Sequence, residues 1–108
     1  MIKINGETWQ VLLVSPDYPM LLRSVGTYAL GVCDDDLKTI YINNELSEHK
    51  IKNVLCHELT HAAMFSYNIE LSIEQEEILA DLLATYGQEI IDMTNTIFNR
   101  LTKKWEDV

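Results

Sequence analysis

The sequence predicts an α+β domain: a small, mostly antiparallel sheet, then two helices and a C-terminal helical stretch. Three observations predict it. Up to Asn43, apolar residues come in short alternating runs separated by turn residues, which is the pattern of strands. From Ser47 the apolar spacing changes to three and four, which is the pattern of amphipathic helices. The helical segments are bounded by capping residues rather than by linkers. The 108 residues are 47% hydrophobic and 23% charged, as in globular chains, and a single domain over residues 1–108 is the expectation.

The elements follow in order. Asn5-Gly6 separates Met1–Ile4 from Glu7–Val14, and both turn residues tolerate positive φ, so a β-hairpin is expected. Ser15-Pro16-Asp17-Tyr18-Pro19 ends it, because Pro16 lacks a donor and Pro19 disfavours the helical region for Tyr18. Residues 20–25 read as a short helical turn. Thr27–Cys33 and Thr39–Asn43 read as strands around the polar turn Asp34–Lys38. That acidic run is read as a solvated turn, since it lacks the glycine and the terminal glutamate of a calcium loop.

Ser47 is the expected N-cap of a helix carrying Ile51, Leu55, Leu59, Ala62 and Ser66 on one face. Asn68 lies at or just beyond its C-terminus. Ser72 and Gln75 form a capping box for the next helix. Leu79, Leu82, Leu83, Tyr86, Ile90, Met93, Ile97 and Leu101 continue an apolar stripe. Unbroken, that helix is about 45 Å long, so a break is expected near Gly87 or Thr94–Thr96. The stripe suits either a homodimer through the C-terminal helix or a helix packed back on the sheet.

Charge and topology exclude several functions. Eight Lys+Arg against seventeen Asp+Glu give −9, which argues against nucleic acid and anionic membrane as partners. No apolar run approaches the roughly 18 residues of a membrane span, and the N-terminus lacks the apolar core of a secretory signal. A cytoplasmic location is expected. Cys33 and Cys56 form no CxxC pair and are read as reduced, with Cys56 a small buried residue.

The chemistry sits on the helices. His57-Glu58-Leu59-Thr60-His61 is an HExxH pattern inside the first of them. Residues four apart share a helix face, so both imidazoles reach one metal ion. Glu58 lies beside the metal without binding it, placed to act as general base toward water. Leu59 and Thr60 point away. A hydrolytic zinc needs a third protein ligand and an open position. Glu77 and Asp81, four apart on the second helix, are placed opposite the Leu79/Leu83/Tyr86 stripe. If the helices pack antiparallel, Glu77 faces the histidines and Asp81 accepts a ring N–H from one of them. Glu76 competes with Glu77 for the ligand role, but it does not share a face with Asp81.

HExxH followed by ExxxD on the next helix resembles the gluzincin group of zinc metallopeptidases. The finer pattern is closest to the ImmA/IrrE family of small bacterial and phage metallopeptidases, here TIYIN, VLCHELTHA and EILADLLA over residues 26–86. The resemblance implies a minimal zincin-like fold with Zn²⁺ held by His57, His61 and Glu77. It implies Glu58 as general base and Asp81 supporting His57. It also implies a protein or peptide substrate and a regulatory role in a phage or mobile-element context. The Leu-Leu-Met-Pro-like segment common after the second motif is replaced by Thr85-Tyr86-Gly87-Gln88. The alternative function is a non-catalytic, zinc-stabilised protein-interaction module, against which Glu58 argues.

In zincin-like enzymes an edge strand beside the HExxH helix pairs with extended substrate. Thr39–Asn43 is either that edge or an ordinary strand within the sheet. Tyr67, Tyr86 and His49 are candidate oxyanion donors by residue type, against a plain packing role. Trp9 and Trp105 read as packing residues, and Glu70, Glu89 and Asp92 as solvated.

Overall fold

The computed structural model describes the backbone of residues 1–106 and the side chains of residues 1–103. The role expected of the Trp105 side chain falls outside them. β1 (Ile2–Ile4) and β2 (Glu7–Val14) form the predicted hairpin. Asn5 and Gly6 take φ of 49° and 80°, the positive values such a two-residue turn requires. Trp9 is fully buried and donates its indole N–H to Ser66 Oγ at 2.8 Å. Asn5 Nδ2 donates to the Ser66 carbonyl at 2.9 Å. The hairpin is thereby pinned to the end of the first helix.

Two expectations between residues 19 and 34 are corrected. The helical turn is a 3₁₀ turn over Pro19–Leu21, started by the fixed φ of Pro19. The strand expected from Thr27 begins only at Gly31: β3 spans Gly31–Asp34. Residues 27 and 28 pair locally instead. Gly26 at φ 85° closes a turn in which the Arg23 amide donates to Thr27 O at 2.8 Å, and Leu22 bridges Tyr28. Their backbone groups thus find partners within a small loop, while both side chains stay exposed.

β4 (Thr39–Asn43) matches its expected bounds. The sheet order is β1-β2-β4-β3, antiparallel except for the β2–β4 pair. β4 is therefore interior, hydrogen-bonded on both sides, and the edge-strand alternative for Thr39–Asn43 is overturned. Its side chains are buried on both faces. Ile40 and Ile42 join Trp9, Val54 and Ala62 in the core, while Tyr41 meets Tyr18 with ring centroids 5.5 Å apart. The edge next to the helices is β3.

α1 (Glu48–Ser66) starts at Ser47, whose hydroxyl accepts the Lys50 amide at 3.2 Å. Asn68, at φ 54°, closes it. The Asn68 amide donates to Phe65 O and the Ile69 amide to Met64 O, so two terminal carbonyls are satisfied. The Ser72–Gln75 capping box forms with both bonds at 3.1 Å. α2 (Ile73–Glu106) then runs without the expected break. Gly87 is buried against Leu83, and the Thr94 and Thr102 hydroxyls bond the Ile90 and Phe98 carbonyls, so all three fit a continuous helix. At 34 residues α2 is about 51 Å long. It runs antiparallel to α1 and overshoots it: His49, in the first turn of α1, already shares a groove with Gln88 and Ile91. Ile90, Met93, Ile97 and Leu101 are half-exposed and not packed back on the sheet. Among the described residues, no helix is long and apolar enough to cross a membrane.

Candidate metal centre

His57 and His61 project from one face of α1, their Nε2 atoms 3.1 Å apart. Glu77 arrives from the first turns of α2. Its Oε2 lies 3.1 Å from His57 Nε2 and its Oε1 2.9 Å from His61 Nε2. One ligand atom from each of the three residues lies within 4.8 Å of the others. The antiparallel packing of α1 with α2, the condition on which the sequence reading of Glu77 depends, produces this meeting.

Each ring is held from behind by a carboxylate. Asp81 Oδ1 accepts from His57 Nδ1 at 3.0 Å, as the ExxxD spacing suggests. Glu76 Oε1 accepts from His61 Nδ1 at 2.6 Å. In the neutral rings the two bonds favour a proton on Nδ1, which leaves both Nε2 lone pairs facing Glu77. The centre then contains only acceptors: two imidazole nitrogens and a carboxylate, about 3 Å apart. Such a group repels itself unless a cation lies among its atoms. Tetrahedral zinc, with bonds of about 2.0–2.2 Å to nitrogen and oxygen, holds its ligand atoms about 3.3 Å apart. The donor set fits such an ion in both chemistry and spacing.

Glu58 lies on the sheet side of α1, only 8% exposed, bordering the same cleft as His57, His61 and Glu77. Burial pushes its carboxyl above the ordinary value of 4.5. His61 and His57 oppose this, Glu77 adds to it and Arg23 opposes it. Leu59 and Thr60 face away and line an apolar groove behind α1. The Cys33 thiol also borders the cleft and is pushed up to about 12, by burial first and then by Glu58, Asp35, Asp34 and Glu76. Cys56 is half-buried rather than buried.

β3 forms the opposite wall. At Gly31 the strand comes close against α1. A Cβ there would stand 2.5 Å from Val54 Cγ1 and 3.2 Å from Glu58 Cγ. A glycine inside a strand pattern is a known sign of close backbone approach, and it was the available signal for this residue.

Five further residues bear on the cleft: four that the sequence offers as candidates lie elsewhere than a ligand or donor role would need, and one is not singled out by the sequence at all. Glu76 meets His61 at Nδ1 as a hydrogen-bond partner, while Glu77 is the carboxylate that meets both Nε2 atoms. It reaches that ring from the flank of α2 next to Glu77, so it need not share a face with Asp81. Arg23 borders the cleft from the 22–28 loop, and nothing in its sequence neighbourhood marks it. Tyr67, Tyr86 and His49 do not line the cleft. Both tyrosines are about half-exposed, and His49 lies in the groove behind the helices.

A family model for the IrrE N-terminal-like domain, Peptidase_M78, matches residues 21–91. That interval contains β3, β4, α1 and the part of α2 that faces α1. No curated protein and no solved structure matches significantly.

Proposed function

The chain belongs to the Peptidase_M78 family, IrrE N-terminal-like, whose function is of metallopeptidase type, and from this premise we propose that it is a zinc-dependent endopeptidase acting on extended protein segments. The observation that carries the reading is the convergence of His57 Nε2, His61 Nε2 and the Glu77 carboxylate on one point. His57, His61 and Glu77 would hold the ion. When bound, zinc lowers the pKa of water and polarises a carbonyl.

The remaining work falls to the chain itself. Asp81 and Glu76 keep the Nδ1 protons in place and so keep both Nε2 atoms free for the ion. Glu58 takes a proton from the attacking water and returns it to the leaving nitrogen. Burial, which raises its pKa, favours its holding that proton until the nitrogen leaves. The free edge of β3 runs beside Glu58, and its unpaired backbone groups offer an extended peptide a strand to pair with. By resemblance, the substrate is a regulatory protein of a phage or mobile element.

A structural zinc site would not require a buried carboxylate aimed into an open cleft, so Glu58 favours catalysis over a zinc-stabilised interaction module. The test is elemental analysis and proteolysis on three proteins. Wild type should hold about one zinc, Glu77→Gln should lose it, and Glu58→Gln should keep it while losing activity. Zinc absent from folded wild type would remove the reading, and full activity in Glu58→Gln would remove the mechanism.

A further inference from the structure

The cleft is divided at the reacting centre. One pocket, of about 340 Å³, extends toward Ala29, Val32 and Phe65. A second, of about 200 Å³, extends toward Lys50, Asn53 and Asp81. They share four residues: Arg23, Gly31, His57 and Glu58. A peptide lying along β3 must pass from one pocket to the other at this junction. The bond crossing it is the bond nearest His57 and Glu58.

Among the described residues, Arg23 is the only lysine or arginine common to both pockets. It makes no ion pair among the described residues. In a chain with eight Lys+Arg and seventeen Asp+Glu, an uncommitted guanidinium over an acidic cleft is conspicuous. Its backbone is fixed: the Arg23 amide donates to Thr27 O at 2.8 Å, and its carbonyl accepts from Gly26 at 3.0 Å. The neighbouring Leu21 is fully buried. The 22–28 turn thus anchors the backbone of an exposed, always-charged donor at the border shared by the two pockets.

We propose that Arg23 is a catalytic residue, the donor that binds the carbonyl oxygen of the scissile peptide as that oxygen becomes an anion. It takes the role for which no tyrosine is placed in the cleft. This rests on the peptidase reading. Water adds to the carbonyl carbon and gives one proton to Glu58, and the carbonyl oxygen, now negative, meets the guanidinium. The C–N bond then breaks, the C=O bond re-forms, and Glu58 passes its proton to the departing nitrogen, leaving a carboxylic acid and an amine. A donor of this kind contributes about 10²–10³-fold to kcat and little to ground-state binding.

The test uses the zinc-loaded full chain and an N-phosphoryl-Leu-amide probe, whose tetrahedral anion imitates the charged oxygen. Calorimetry compares wild type, Arg23→Met, Arg23→Lys and, as a control outside the cleft, Lys3→Met on β1 at equal zinc content. Expected is at least tenfold weaker binding in Arg23→Met, partial recovery in Arg23→Lys and no change in Lys3→Met. Hydrolysis of labelled casein should show the Arg23→Met loss in kcat, with KM within about threefold. Equal probe affinity in wild type and Arg23→Met, or no binding of the probe to wild type, overturns the assignment. So does a loss confined to KM. Failure of the peptidase reading shows separately, as zinc-independent casein cleavage or as Glu58→Gln retaining full activity.

Discussion

Removing Glu76 should weaken zinc binding more than removing Asp81, although only Asp81 belongs to the recognisable motif. Both carboxylates accept an Nδ1–H from a histidine of the centre, so the chemistry is the same and the surroundings decide. The Glu76–His61 bond is 2.6 Å long, with side chains 18% and 14% exposed. A charge-assisted hydrogen bond in such partial burial is worth about 1.5–3 kcal/mol. The Asp81–His57 bond is 3.0 Å long and its carboxylate is 72% exposed. Solvent screening reduces it to about 0.5–1 kcal/mol. At about 1.4 kcal/mol per tenfold, Glu76→Ala should lower zinc affinity about 10- to 100-fold, and Asp81→Ala about two- to fivefold. The assay is competition with a chromophoric chelator at pH 7.5, with circular dichroism to establish that each apoprotein is folded. Glu76→Gln keeps an acceptor oxygen without the charge and should fall between wild type and Glu76→Ala. The reasoning is refuted if Asp81→Ala costs as much as Glu76→Ala, or if Glu76→Ala binds zinc within twofold of wild type.

Three further outcomes follow from the packing. Gly31→Ala puts a methyl 2.5 Å from Val54 Cγ1 and should destabilise the fold by about 1–3 kcal/mol in urea titration; an unchanged midpoint would mean β3 is not held against α1. Ser66→Ala leaves the buried Trp9 N–H without its 2.8 Å acceptor and should cost about 1–3 kcal/mol by the same assay. Cys33, pushed from 9.0 to about 12, should react with iodoacetamide at pH 8 more than about a hundredfold slower in the native chain than in urea, because only the thiolate reacts; peptide mapping that finds rapid native labelling at Cys33 would contradict its burial.

What could be read from the chain was local. Asn5-Gly6, Ser47, Asn68 and the Ser72–Gln75 box act within a few residues, and each does in the structure what its type and spacing suggest. HExxH and ExxxD are also local, since four residues on one helix define one face. That is why His57, His61, Glu77 and Asp81 could be grouped before any packing was known.

What the chain alone left open was non-local. Thr39–Asn43 has the composition of a strand wherever it sits, and only its parallel pairing with β2 makes it interior and β3 the edge. The length of α2 depends on whether Gly87 and the threonines meet a partner or a break, and Leu83 and the helix's own carbonyls supply the partners. Glu76 and Arg23 carry no motif. Their positions at the centre come from the antiparallel crossing of α1 with α2 and from a seven-residue loop folded across the cleft. Periodicity specifies which side chains share a face of one element. Which faces then meet is decided by burial of Trp9, Ile40, Ile42, Val54 and Ala62 in a common core, and that is a property of the whole chain.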